Sequence, residues 1–138
     1  GGGNFILLSK NRASCLSACE IAVNVMSEIG NIITPFPGGV VRSGSKVGSK
    51  YKALIASTND AFCPSLSGIT GSKLHKSVNC VMEIVINGLT KEDIDKGIRE
   101  SLIAISKSKY RKDIVSVSAG NYGGKLGPHH FHLRKILK

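Results

Sequence analysis

The sequence has few aromatic and few acidic side chains. Tryptophan is absent, aromatic residues make up 5% of the 138 residues, and 9 Asp and Glu residues are set against 19 Lys and Arg residues. Proteins that bind single-stranded nucleic acid stack its bases on aromatic side chains that are interleaved with basic ones. The sequence contains no segment of this kind. The net charge of +10 still favours an anionic partner. We expect no nucleic acid partner. A basic nucleic-acid module stays as a third hypothesis, which predicts salt-dependent binding to DNA or RNA.

Long hydrophobic runs are missing as well. No uninterrupted apolar stretch exceeds four residues, far fewer than the about 20 that a membrane-spanning helix requires. The first residues do not follow the charged, apolar and small-residue order of a secretory leader. We therefore expect no signal peptide, no membrane association and a cytoplasmic location. The chain starts with three glycines and without Met, which indicates a segment of a longer polypeptide.

Metal-binding spacings are also absent. The four cysteines form no paired Cys-x-x-Cys motifs, and we interpret them as buried, reduced thiols of a cytosolic protein: Cys15, Cys19, Cys63 and Cys80. Three histidines crowd the C-terminus at positions 129, 130 and 132, where adjacent residues of a strand point to opposite faces. Surface histidines without a metal are the favoured interpretation, and a surface metal site is the alternative.

What the sequence does contain is an alternation of strand-like and helical patterns. Strands are predicted at residues 4–9, 32–34 with 39–42, 52–57, 78–86, 114–119 and 131–133. A helical pattern runs from residue 11 to Gly30. A second follows Thr90, which caps it with Asp93 three residues on. The buried stripe of the second helix is predicted to be Ile94, Ile98, Leu102 and Ile105.

The order of these elements predicts one α+β domain over residues 1–138. It is that of a ferredoxin-like split βαβ sandwich, in which an antiparallel sheet carries two helices on one face. The segment between the two halves, with its prolines, glycines and serines, is predicted to be an inserted loop region.

Residues 34–52 form a basic, glycine-rich segment, TPFPGGVVRSGSKVGSKYK. It combines four glycines and three serines with three lysines and one arginine. Bare backbone amides, hydroxyls and basic side chains suit an anionic or carbonyl-rich ligand. A flexible surface loop is the alternative. The segment lacks the Lys-Ser/Thr ending of a nucleotide-binding P-loop, so that function is excluded.

Two further features suit chemistry. Glu83 is the one carboxylate within the most strand-like segment, and its apolar neighbours predict that burial raises its pKa and prepares it for proton transfer. The alternative is a glutamate that faces water on the open side of the sheet. The second feature is the segment GNYGGKLG at residues 120–127, which has more glycines than a tight turn requires.

Seven strings occur in the same order in one enzyme family: TPFPGGVV, SGSKVG, KYK, ASTN, FCP, EIVING and SAGNYGGKLG. On these strings the chain resembles the C-terminal lobe of formylmethanofuran–tetrahydromethanopterin formyltransferase, from about Gly1 to its end. The resemblance implies a cytoplasmic enzyme of one-carbon metabolism, built from two lobes of related ferredoxin-like topology and working as an oligomer. It also implies transfer of a formyl group between methanofuran and N5 of tetrahydromethanopterin, the two co-substrates, without a metal.

The resemblance implies roles for individual residues. Glu83 is the candidate catalytic acid/base, because the two amines must lose and gain protons, and amides of the glycine-rich segments are candidates for stabilising the oxyanion. Both carriers have anionic tails that basic side chains suit. The residues implied to bind the substrates are Pro37, Gly38, Gly39, Arg42, Ser43, Ser45, Lys46, Lys50, Lys52, Asn121, Tyr122 and Lys125.

Some features depart from the family pattern. The N-terminal lobe is absent from the sequence, the C-terminal tail contains PHHFHL, and the charge is strongly positive. The resemblance implies an active site between lobes and subunits, so we expect a formyltransferase lobe that needs the missing lobe, as a homo-oligomer or with a partner lobe. The alternative is a non-catalytic pterin-binding or assembly domain of a formyltransferase/hydrolase complex.

Overall fold

The computed structural model describes residues 1–44, 47–52, 58–69, 71–120 and 128–138. Within these residues lie five strands, β1 (Gly2–Ser9), β2 (Ile32–Ile33), β3 (Val41–Arg42), β4 (Cys80–Gly88) and β5 (Ile114–Ser118). The helices are α1 (Arg12–Ser27), α2 (Lys91–Lys107) and the short α3 (Leu133–Ile136). Short 3₁₀ helices lie at Pro37–Gly39, Asp60–Phe62, Pro64–Leu66 and Lys109–Asp113. No helix in these ranges is both long enough and apolar enough to cross a membrane.

The strands form one antiparallel sheet with β1 and β4 at its centre. β5 pairs with the other side of β1, while β2 and β3 both pair with the remaining side of β4. Ile32 lies opposite Gly88, and Val41 lies opposite Glu83. β2 and β3 are therefore two pieces of one sheet edge, separated by the loop with Pro35 and Pro37. The predicted strand that prolines break is confirmed.

The long helices pack against the same face of the sheet. On this face Phe5 and Leu7 of β1 and Ile84 and Ile86 of β4 are buried. Residues of both helices join the same apolar cluster, including the whole predicted stripe of α2: Ile94, Ile98, Leu102 and Ile105. The apolar residues that alternate along the strands and those that recur every three to four residues along the helices thus pack into one core.

On the opposite face of the sheet, described residues from the segment between β3 and β4 pack against the strands. Ile6 and Leu8 of β1 and Val81 of β4 form a second buried cluster there, against which Phe62 and Leu74 pack. The described part of the predicted inserted loop region thus packs on the sheet face that the helices leave open. It brings loop residues close to the polar side chains on this face, among them Glu83.

The predicted cap of α2 is confirmed, whereas the predicted C-terminal strand is not. Thr90 and Asp93 form a complete capping box at the start of α2: the Asp93 amide donates to Thr90 Oγ1 at 3.1 Å. The strand predicted at residues 131–133 is wrong, because Leu133 begins α3. Ile136 of this helix is buried in the core, and Arg99 Nε donates to its carbonyl at 2.6 Å. Packing against α2 therefore selects a helical turn.

Two other predictions fall partly outside the described residues. The strand predicted at residues 52–57 is described only at Lys52, and the glycine-rich segment at 120–127 only at Gly120.

Candidate active site

Glu83 lies at the middle of β4, on the sheet face that the helices do not cover. It is opposite Ile6 of β1 on one side and Val41 of β3 on the other. The residue is only 7% exposed, so it does not face open water as the alternative prediction had it. An ionisable carboxyl group at the centre of a sheet carries a desolvation cost. It therefore requires polar partners.

The partners of Glu83 are two asparagine amides. Asn4 Nδ2 donates to Glu83 Oε1 at 2.5 Å, and Asn59 Nδ2 donates to Glu83 Oε2 at 2.9 Å. Burial raises the pKa of Glu83 above its ordinary value, and the two amide hydrogen bonds counteract part of that rise. The carboxyl group is thus held at both oxygens by neutral donors, in an environment that favours its protonated form.

Three segments distant in sequence meet at these asparagines. A Cβ atom on Gly44 would lie 2.8 Å from the carbonyl oxygen of Asn59 and 2.5 Å from Cβ of Cys63. A Cβ atom on Gly120 would lie 2.6 Å from both Asn4 Nδ2 and Asn59 Oδ1. The basic loop, the segment after residue 58 and the start of the second glycine-rich segment therefore converge on Glu83. Glycine is needed where they touch.

Of the residues predicted to bind substrate, Ser43 and Arg42 lie next to this convergence. Ser43 is fully buried, its amide donates to the Val81 carbonyl at 3.2 Å, and its hydroxyl has no hydrogen-bond partner among the described residues. Arg42 is exposed on β3, one residue beyond the partner of Glu83. Lys50 and Lys52 are exposed as well, and Lys50 Nζ lies 5.6 Å from the ring centre of Tyr51.

The prolyl-glycyl part of the loop has a structural role. Pro37, Gly38 and Gly39 form a 3₁₀ turn, in which Gly38 and Gly39 have positive φ values of 67° and 74°. A Cβ atom on Gly39 would lie 2.6 Å from Cγ2 of Val23 on α1. This glycine thus permits close packing of the loop on α1. Five predicted residues lie outside the described ranges: Ser45, Lys46, Asn121, Tyr122 and Lys125.

A cavity of about 450 Å³ lies beside β3, next to the Glu83 region. Its lining combines apolar side chains such as Leu16 and Met82 with two arginines, Arg12 and Arg42. Neither guanidinium group makes an ion pair within the part of the chain that the structure describes. A cavity of this composition suits a ligand with an apolar body and an anionic group.

The thiols and histidines form no metal cluster in the described ranges. Three of the four cysteines are buried and Cys80 is half-buried, all as free thiols. Burial raises the pKa of Cys80 to about 12, so its thiol stays protonated near neutral pH.

Sequence reasoning missed the partners of Glu83. Asn59 was visible only as the last residue of the string ASTN, and Asn4 only as the polar start of a strand. A contact with Glu83 depends on the register that places Ile6 opposite Glu83, and this register follows from the assembled sheet.

Comparison with known proteins decides the family. A family model described as "FTR, proximal lobe" matches residues 1–136. The chain belongs to the FTR proximal-lobe family. The resemblance stated from the sequence strings is confirmed.

The relatives of this FTR proximal lobe include a formylmethanofuran--tetrahydromethanopterin formyltransferase of Methylobacillus flagellatus, 59% identical over 99% of this chain and 45% of the relative. The crystal structure of the formyltransferase/hydrolase complex from Methylorubrum extorquens, in complex with methylofuran, has a chain that superposes with a TM-score of 0.84. It is 47% identical, over 99% of this chain and 44% of that chain.

A formylmethanofuran:tetrahydromethanopterin formyltransferase from Methanosarcina barkeri superposes with a TM-score of 0.80 at 42% identity, over 96% of this chain and 44% of that chain. The chain thus spans less than half the length of these relatives.

Proposed function

We propose that the chain is the proximal lobe of a formyltransferase that moves a formyl group between formylmethanofuran and N5 of tetrahydromethanopterin. The observation that carries this proposal is the buried Glu83 carboxyl group, held at both oxygens by amides where the three loop segments converge. The identity of 59% to a formyltransferase of that name supports the choice of carriers.

The proposed role of Glu83 is proton transfer between the two carrier nitrogens. In the direction toward the pterin, N5 attacks the formyl carbon, a C–N bond forms, and the carbonyl oxygen takes up negative charge. Glu83, as the carboxylate, accepts the proton from N5. It returns this proton to the methanofuran nitrogen as the original C–N bond breaks and the carbonyl reforms. A carboxyl group with a raised pKa suits both halves of this exchange.

The anionic tails of the carriers are proposed to lie along the basic edge of the sheet. Arg12 and Arg42, which line the cavity beside β3 and form no ion pair with another described residue, support this placement. Lys50 and Lys52 are further exposed basic side chains of the segment that contains Arg42. Binding by Ser45, Lys46, Asn121, Tyr122 and Lys125 stays a prediction on residues outside the described ranges.

The finer description of the fold is also a proposal. The sheet order β2-β4-β1-β5, with α1 after β1 and α2 after β4, supports a ferredoxin-like split βαβ domain over residues 1–138. Because the relatives are more than twice as long, we propose that activity requires the other lobe, in the same polypeptide or as a partner.

The test measures formyl transfer and carrier binding together, in the complete polypeptide that contains this chain or in this chain with its complementary lobe. Formyl transfer between the two carriers is the expected result. If both carriers bind and no formyl group is transferred, the proposed enzymatic activity is wrong, and the chain is a binding or assembly domain. Salt-dependent RNA binding without affinity for the pterin would overturn both.

A further inference from the structure

We propose that Asn4 and Asn59 are positioning residues, whose side-chain amides together fix the orientation of the Glu83 carboxyl group toward the reacting nitrogen. This inference rests on the proposed function of Glu83. Neither asparagine was a site candidate in the sequence. The two come from different elements, β1 and the segment that covers the sheet, and they reach the carboxyl group from both sides.

The first support is the division of the hydrogen bonds. Each oxygen of Glu83 accepts from one amide, Oε1 from Asn4 and Oε2 from Asn59. A carboxyl group held at one oxygen rotates about its last torsion, and that torsion is broad for glutamate. Donors at both oxygens fix the plane of the group. Each oxygen keeps a second lone pair that is available to a substrate proton.

The second support is the neutrality of the partners. The chain has 19 Lys and Arg residues, yet no described cation forms an ion pair with Glu83. A guanidinium or ammonium group in contact would hold the carboxyl group ionised and weaken it as a proton donor. An amide stabilises the carboxylate by a smaller amount and does not titrate. The two amides therefore orient Glu83 and leave it able to exchange protons.

The third support is the close packing of the backbone around the two side-chain amides. Asn59 is only 4% exposed, and the backbone at Gly120 approaches so closely that an added Cβ atom would lie within 2.8 Å of both atoms of its amide group. The same Cβ atom would lie 2.6 Å from Asn4 Nδ2. Glycine at position 120 thus permits the backbone there to approach the pair of asparagines closely, and a side chain at this position would displace them.

The test follows the protonation of Glu83 in the complete polypeptide by isotope-edited infrared spectroscopy, with Glu83→Gln identifying its carboxyl band. Asn4→Leu and Asn59→Leu keep a similar volume and remove one donor each. Because an amide donor favours the carboxylate, both variants should raise the pH at which Glu83 releases its proton by about one pH unit. Asn87→Leu, on the same strand and face but not bonded to Glu83, is the matched control and should leave the titration unchanged.

A second variant keeps the test decisive where Asn59→Leu fails to fold. Gly120→Ala retains both asparagines but crowds their amides, so it should shift the titration in the same direction. The acid limb of the pH profile of kcat/KM should move with the spectroscopic titration. Asn59→Gln, which keeps an amide at a displaced position, should recover part of kcat relative to Asn59→Leu.

The two proposals fail in different ways. An unchanged titration in folded Asn4→Leu, Asn59→Leu and Gly120→Ala proteins would overturn the positioning role, whatever the activity. Shifted titrations together with full formyl transfer by Glu83→Gln would leave the positioning of the carboxyl group intact and overturn its proposed catalytic role.

Discussion

At the scale of single residues, the burial of Glu83 affects stability as well as chemistry. The carboxyl group is 7% exposed, and burial is the main cause of its raised pKa. In the unfolded chain the group releases its proton near the ordinary value of 4.5, whereas in the folded protein it keeps the proton to higher pH. Between these two pH values the unfolded state binds fewer protons than the folded state.

A pH dependence of stability follows from this difference. The contribution of Glu83 to the free energy of unfolding is full below pH 4.5, and it is lost as the pH rises through the folded-state pKa. Glu83→Gln does not titrate, so its stability relative to the parent should increase with pH over this window. Urea unfolding at a series of pH values measures the difference. Glu20→Gln, exposed on α1, is the matched control. A constant difference between parent and Glu83→Gln would contradict the account.

The contacts of individual residues were the hardest feature to predict from the sequence. The apolar neighbours of Glu83 in the sequence predicted that its pKa is raised, and this direction is confirmed. The neighbours along a strand alternate between faces, so they did not identify the side chains that contact the carboxyl group. Asn4 and Asn59 lie 79 and 24 residues away, and their contact depends on strand register and loop packing.

At the scale of elements, the site depends on how the basic loop packs on the segment after residue 58. Gly44 and Gly48 have nearly the same positive φ, 71° and 72°. They differ in their surroundings: a Cβ atom on Gly44 would overlap Cys63 and Asn59, whereas one on Gly48 would meet no described atom within 4 Å. The two glycines therefore separate backbone strain from steric overlap.

Alanine at each position should reveal this difference. Gly48→Ala is expected to cost about 1 kcal/mol of folding free energy, from the left-handed backbone alone. Gly44→Ala adds overpacking, so its total cost should be about 2–4 kcal/mol. Urea denaturation of both variants against the parent measures the two losses. Equal losses would mean that the loop does not pack on Asn59 and Cys63 as described.

Elements were more predictable than contacts. The two long helices, the central strands and the capping box of Thr90 follow from local periodicity and local hydrogen bonding, which the sequence displays directly. The strand predicted at residues 131–133 failed because three residues carry little periodicity, and the burial of Ile136 decided the outcome. The position of β2 and β3 along one edge of β4 follows from long-range pairing, although the break by prolines was predictable.

At the scale of the whole molecule, the chain belongs to the FTR proximal-lobe family, and its relatives are longer than the chain. It covers less than half of the length of relatives such as the formyltransferase of Methylobacillus flagellatus. Its sheet brings Glu83 together with Asn4, Asn59 and the backbone at Gly44 and Gly120, and two arginines line the cavity beside β3. We propose that a second lobe completes the substrate site next to the buried Glu83 carboxyl group.

The most direct test of the central claim is the rate of formyl transfer by the complete polypeptide with Glu83 and with Glu83→Gln. The variant should keep the fold and the binding of both carriers. Its kcat should fall by about 10²- to 10⁴-fold, because glutamine does not accept or return a proton. A kcat within about twofold of the parent would contradict the account, because such a change is far below the contribution of a general acid/base.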